Sequence, residues 1–435
     1  MRVIESARGS GWTTGWRAHV LLLVAFCVLA APLIGWKAVN NRQLSIYDEW
    51  QYADRVHQVT TGDLVIREGE KISSWAHRQL FCRGITRNTP VQPDICAQRL
   101  PEANIANSAA TDPPLYFWVT GGVAAVPLQL GLTDNVITTA RLVGVLWAAL
   151  AMWTLFLLSR ALGVSRPAAA VVAATQVTVP VFVQQYTYLT PHALDVPVGA
   201  FMALAALKTM RGRWPLWTVA LGAFLACFSK GTNITVVLMV GLFYLAVIAW
   251  PGRFDRARRM RAFWAGVVTA VSAVVTTLGW SFVTGWLSVE EAPPPGNFIV
   301  DSLDPNALIL DATRAVGAIG ENQTTFFGTI LATAMFGTAL ATWSGAVPSK
   351  PLLRAFGAAY VLGALAAPLL LAGYVFVTTD QYIGLHFRYC LAVWAVGVAL
   401  AGRLLTTRTA VALGAVFLAA YWWMPFVWGL DGIAS

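Results

Sequence analysis

"PPLYFWVTGGVAAVPLQL", Pro113 to Leu130, is the segment on which the topology of this chain depends. Its apolar length invites a membrane crossing. Counting it as one would place the next basic connection, "SRALGVSR" at Ser159–Arg166, outside and reverse the orientation signal of every later loop. Gly121, Gly122 and Pro127 also suit a full crossing poorly. The segment is therefore read as a helix lying in the outer interface or dipping partly inward.

The rest of the chain supplies the membrane. It is 57% hydrophobic and 12% charged, with 19 Trp and 21 Phe, and apolar runs recur throughout. They fall at 18–36, 137–159, 167–188, 191–207, 214–230, 232–250, 262–286, 322–346, 353–377, 384–402 and 409–428. This predicts an all-α polytopic membrane protein of about eleven transmembrane helices, with juxtamembrane helices in the first external loop. The net charge of +9 does not mark a nucleic-acid partner, because the basic residues sit at the ends of apolar runs. Arg160 and Arg166, then Lys208, Arg211 and Arg213, then Arg253, Arg256, Arg258, Arg259 and Arg261 mark cytoplasmic loops.

The expected organisation follows. Residues 1–17 form a cytoplasmic N-terminus and 18–36 a retained first helix without a cleavage site. Residues 37–136 form an external loop, 137–286 hold helices two to seven, 287–321 form a Pro-rich capping loop, and 322–435 hold the last four helices. Of 21 acidic residues, nine lie between Lys37 and Asp112, and only Glu5 and Asp255 fall on the cytoplasmic side. Polar chemistry is thus expected on the outer face of an inner (plasma) membrane.

That face begins with "SIYDEWQYADRVHQV", Ser45 to Val59, which pairs Asp48 with Glu49 just after the first helix. Helical spacing sets Ile46, Trp50 and Ala53 on one face and Asp48, Tyr52 and Arg55 on another. Arg55 is equally placed to pair with Asp48 or Glu49 in a solvated helix surface. Other ionisable groups fall at the same depth: Asp112 in "TDPPLYFW", Arg141 in "TTARLV", His192 and Asp195 in "YTYLTPHALD", Lys230 in "CFSKGTN", and His386 and Arg388 in "QYIGLHFRY". Cations there suit a phosphate, and a carboxylate there suits proton acceptance. Cys82 and Cys96, 14 residues apart in the polar loop, are free thiols or, in an oxidising compartment, a disulfide.

The order of these motifs resembles the GT-C superfamily of glycosyltransferases, and within it a branch of bacterial predicted membrane proteins. "YDEWQYA" is similar to the acidic motif after helix one of that superfamily, and "DPPLYFW" to its interfacial "PPLYYW" helix, with Tyr116. "TARLVGVLWAALA", "LTPHALD", "SKGTN" and "HFRYCLAVWA" follow in matching order. Asp112 departs from the pattern, since relatives often carry His before the proline pair.

The resemblance implies an inverting transferase, hexosyl or pentosyl, that uses a polyprenyl-phosphate sugar donor and a cell-envelope glycan or lipid acceptor. Asp48 would be the catalytic base, with Glu49 as its neighbour. Arg388, Lys230, Arg141 and His386 would bind the donor phosphate. Asp112, His192, Asp195, Tyr52 and Tyr116 would bind substrate. No cofactor is expected to be required, although Asp48, Glu49, Asp112 and Asp195 offer hard oxygen ligands to Mg or Mn. The rival readings are a lipid-linked substrate transporter or flippase, a glycan ligase or polymerase, and a non-catalytic glycolipid-binding protein. The absence of visible internal repeats and the charges near one face count against the first.

Overall fold

The computed structural model describes residues 15–46, 48–65, 67–85, 89–289, 305–317, 325–379 and 385–428. The fold is all-α, as expected, apart from one small sheet. Helix α1 (Trp16–Asn40) leads into α2 (Glu49–Thr61), strand β1 (Lys71–Ile72), α3 (Ser74–Arg83), strand β2 (Ala103–Ala106) and α4 (Leu115–Gln129). Then come α5 (Val136–Leu142), α6 (Gly144–Ala161), α7 (Arg166–Ala174), α8 (Pro180–Thr187), α9 (Asp195–Met210), α10 (Trp217–Ser229), α11 (Ile234–Ile248) and α12 (Arg256–Trp286). The chain finishes with α13 (Pro305–Gly317), α14 (Thr325–Ser344), α15 (Pro351–Thr379), α16 (Leu391–Ala401) and α17 (Arg408–Trp428).

Local chemistry sets the boundaries. Ser73, Asn135, Ser165 and Asp255 each cap a helix by accepting a backbone N–H with the side chain. Gly62, at φ 101°, closes α2 in a left-handed turn open mainly to glycine.

Among the described residues six helices are long and apolar enough to cross a membrane, or seven if the bent pair α7–α8 is one span. The eleven expected runs all hold helix, but several are not single full-length rods. The third is broken, with Arg166–Val177 and Pro180–Thr187 meeting at 59°, because Pro180 lacks the N–H that would continue the earlier helix. The fifth is the 13-residue α10 and the tenth the 11-residue α16. At 1.5 Å per residue these are about 20 and 17 Å long, short of a hydrocarbon core of about 30 Å. Leu21, Val24 and Val28 on α1 and Val275, Leu278, Phe282 and Trp286 on α12 are exposed apolar side chains, as suits a multi-pass membrane protein.

The ambiguous segment becomes α4, whose 15 residues span about 22 Å. Its buried face, Tyr116, Phe117, Thr120, Gly121 and Ala124, packs on α2. A Cβ on Gly121 would sit 2.6 Å from Val59 Cγ1, whereas one on Gly122 would meet nothing. The first glycine of the pair is thus the one that lets the two helices approach. From the other side Trp147 Nε1 donates to Thr120 Oγ1 at 3.1 Å, tying α4 to α6.

The deep core is an alanine- and glycine-rich contact of α9 with α6 and α16. A Cβ on Gly199 would lie 2.1 Å from the Ala392 carbonyl oxygen, a backbone atom that cannot rotate away. Gly199→Ala is expected to cost about 1–3 kcal/mol through forced separation of α9 and α16, read as a lower unfolding temperature in detergent.

The polar first segment is pinned by a disulfide between Cys82 and Cys96, whose Cα atoms are 4.8 Å apart. Of the Pro-rich stretch 287–321, expected as a capping loop, residues 305–317 form helix α13, while 290–304 and 318–321 lie outside the described residues.

Candidate active site

Asp48 is the only non-glycine residue with positive φ among the described residues, at φ 59° and ψ 15°. A left-handed conformation costs a non-glycine residue roughly 1–3 kcal/mol and is best tolerated by Asp or Asn. Its carbonyl begins α2 by accepting from the N–H groups of Gln51 and Tyr52 at 2.9 and 3.1 Å. Its carboxylate does not cap the helix. Instead it lies 3.4 Å from Arg388 Nη2, with 32% of the side chain exposed.

This turn separates two carboxylates that are adjacent in sequence. Glu49 is fully buried and meets Arg141 in a fork, Nε to Oε1 and Nη2 to Oε2 at 2.7 Å each. The N–H groups of Ser45 and Leu189 also donate to it, at 2.7 and 2.9 Å. Arg141 gives its remaining hydrogen bonds to the carbonyls of Asn41 and Gln43, at 2.6 and 2.8 Å. Glu49, expected beside the catalytic base, and Arg141, expected at the donor phosphate, form a fully buried salt bridge that clamps the link between α1 and α2 onto α5.

Arg55 also departs from expectation, pairing with neither Asp48 nor Glu49. Its Nη1 donates to the carbonyls of Ala109 and, at 2.6 Å, Asp112, and its guanidinium stacks over Phe117 at 4.2 Å. Burial pushes its pKa down to about 10, against the pull of Asp112. It thereby fixes the backbone of Asp112, whose two carboxylate oxygens each lie 2.6 Å from Lys230 Nζ.

Lys230 stands in the turn between α10 and α11, 5.6 Å from the centre of the Tyr52 ring. Burial disfavours its charge, but Asp112 and Tyr52 outweigh that and hold its pKa above the ordinary lysine value. Arg388, in the short turn before α16, is likewise held charged: burial opposes, while Tyr389, Tyr52 and Asp48 prevail. Tyr52 is pushed up to about 12 by burial, with Lys230 and Arg388 opposing and Asp112 and Asp48 adding. Asp48, Tyr52, Asp112, Lys230 and Arg388 therefore form one electrostatically coupled group.

His192 and Asp195 border that group. His192 Nδ1 lies 2.7 Å from Asp195 Oδ2, both buried, and the His192 ring is 5.8 Å from that of Tyr389. Tyr389 was not singled out from sequence, although it directly follows Arg388. His386 accepts from the Arg388 N–H at the head of the same turn, at 3.5 Å. Tyr116 lies below, its hydroxyl accepting from the Thr190 N–H at 3.1 Å.

The four candidate metal ligands do not converge. Asp48 faces Arg388, Glu49 faces Arg141, Asp112 faces Lys230 and Asp195 faces His192. Among the described residues no three His, Cys, Asp or Glu side chains are grouped to hold a metal. The arrangement does not fit a shared metal, and no step below passes through one.

The chain is thus an all-α, polytopic membrane fold that carries the Asp48 carboxylate at the head of a short helix beside the Arg388 cation. The chain is similar to the structure of ArnT from Cupriavidus metallidurans in the apo state, with a TM-score of 0.50 and 16% identity, over 95% of this chain and 65% of that one. The structure of the same protein bound to undecaprenyl phosphate matches with a TM-score of 0.48 and 16% identity, over 95% and 66%. The chain thus spans about two thirds of the length of these neighbours. No family model matches the sequence. No curated protein matches it.

Proposed function

We propose that the chain is an inverting GT-C-type glycosyltransferase, which moves a sugar from a polyprenyl-phosphate donor to a cell-envelope glycan or lipid acceptor. The reaction is assigned to the extracytoplasmic face of the inner membrane, with the N-terminus cytoplasmic. The observation that carries this reading is the placement of Asp48: turned out of α2 by its left-handed backbone, partly exposed, and paired with Arg388, while Lys230 lies against the ring of Tyr52 one turn further along the same helix.

In this reading an Asp48 carboxylate oxygen takes the proton of an acceptor hydroxyl. The oxygen of that hydroxyl forms a bond to the anomeric carbon as the bond from this carbon to the phosphate oxygen breaks. The electron pair leaves on the polyprenyl phosphate, and the anomeric configuration inverts. Phosphate is a good leaving group, so positioning and charge neutralisation supply most of the remaining barrier reduction. Arg388 and Lys230 are assigned to that neutralisation. Lys230 would exchange Asp112 for phosphate oxygens, and Arg388 would bridge the phosphate and Asp48. His386, at the head of the Arg388 turn, would orient Arg388. His192, Asp195, Tyr52 and Tyr116 shape the surrounding wall.

The test is binding. Undecaprenyl phosphate titrated into the purified chain is expected to bind about 10–100-fold more weakly to Arg388→Met, the loss of a charge-assisted hydrogen bond. Unchanged binding in Arg388→Met would remove the phosphate from this site.

A further inference from the structure

The polar segment between α1 and α4 holds a pocket of about 220 Å³ that the reaction above does not use. Gln58 of α2, Glu70 and Lys71 at the start of β1, Ser73 capping α3, Glu102 before β2 and Val289 beyond α12 line it. At about 30 Å³ per water, that volume holds roughly seven waters, or one ring-sized polyol.

The lining excludes an apolar ligand, which would find only Val289 to cover it. It offers two carboxylates, an ammonium, an amide and a hydroxyl, a mixture of donors and acceptors suited to several hydroxyl groups at once. Gln58 Oε1 is buried with no hydrogen-bond partner, an acceptor awaiting a donor.

The walls are fixed from below and behind. Ser73 donates through its Oγ and its N–H (3.1 Å) to the buried Asp54 carboxylate, which also accepts from Asn107 Nδ2 at 3.1 Å. Glu70 Oε2 accepts from the Arg67 N–H at 3.0 Å, and the Val289 N–H donates to the Glu68 carbonyl at 2.9 Å, joining the end of α12 to the pocket rim.

Helix α2 links this pocket to the reaction. Asp48 stands at its head and Gln58 ten positions further on, a rise of about 15 Å. One sugar ring does not reach across that distance, but a short oligosaccharide does.

We propose that the pocket is a second sugar subsite, which holds a hydroxyl-rich ring of the acceptor while another ring of the same glycan lies at Asp48. This rests on the glycosyl-transfer reading and narrows its acceptor to an oligo- or polysaccharide.

The experiment is saturation-transfer NMR on the full chain in lipid nanodiscs, with a panel of neutral hexose and pentose monosaccharides and their tri- and tetrasaccharides. Oligosaccharide binding is expected in the parent. A Lys71→Ala/Glu102→Ala double variant is expected to bind about tenfold more weakly, and since both side chains are exposed its fold is retained. Equal binding by the double variant overturns the subsite, as does a parent that binds no member of the panel. Binding at the pocket by a parent that transfers sugar from no donor overturns the acceptor role and, separately, the glycosyl-transfer reading.

Discussion

Asp48→Asn is expected to lower glycosyl transfer by about 10²–10⁴-fold, the usual contribution of a positioned general base. The substitution keeps shape and hydrogen-bonding capacity and removes only the ability to accept the proton. Asn also tolerates the left-handed backbone that Asp48 adopts at φ 59°, so the head of α2 is expected to persist. The Asp48 carboxylate is one-third exposed and its contact to Arg388 is 3.4 Å, so little stability is tied up in it. The unfolding temperature is therefore expected to stay within a degree or two of the parent, and binding of the proposed donor is expected to survive. A large loss of both rate and stability would instead make Asp48 a structural residue.

The opposite pattern is expected one residue along. Arg141→Met removes the ion-pair partner of a fully buried carboxylate and leaves Glu49 charged among the backbone groups of Ser45 and Leu189. Breaking such a pair from one side costs about 3–5 kcal/mol, enough to unfold a marginal protein. Transfer is expected to fall only as far as the folded fraction falls. Glu49→Met with Arg141→Met together is expected to recover much of the loss, because no lone charge stays buried. The recovery is incomplete, since the carbonyls of Asn41 and Gln43 also lose their donor. A rate defect in Arg141→Met that persists at full folding would return Arg141 to the donor site. Circular dichroism melting beside a transfer assay separates the two cases.

The contrast between Asp48 and Glu49 shows where sequence reading reaches its limit. Apolar runs and basic loops carry the all-α membrane architecture, because the bilayer imposes them on local composition. Charge parity gave Pro113–Leu130 as an interfacial helix by expectation; in the structure it forms the 15-residue α4, with one buried face. The breaks inside the third and tenth runs were not legible as such, since hydropathy averages across Pro180 and across the Phe387–Cys390 turn. The candidate ionisable residues near one membrane face could be named from their positions at helix ends. Their partners could not, because Glu49 and Arg141 are 92 residues apart and Asp48 and Arg388 are 340 apart. Helical spacing placed Arg55 with Asp48 on one face, but the tertiary approach of Ala109 and Asp112 captured it. A single positive φ at Asp48 sends neighbouring carboxylates to different environments, and nothing in the residue types announces it.

The most direct measurement is transfer by the purified full chain from a panel of polyprenyl-phosphate sugars, with the anomeric configuration of the product read by NMR and Asp48→Asn run beside the parent. The expected result is release of polyprenyl phosphate, a product of inverted configuration, and loss of both in Asp48→Asn while donor binding remains. Equal transfer by the two proteins, or a product of retained configuration, would contradict the role given to Asp48 and to the cations around it.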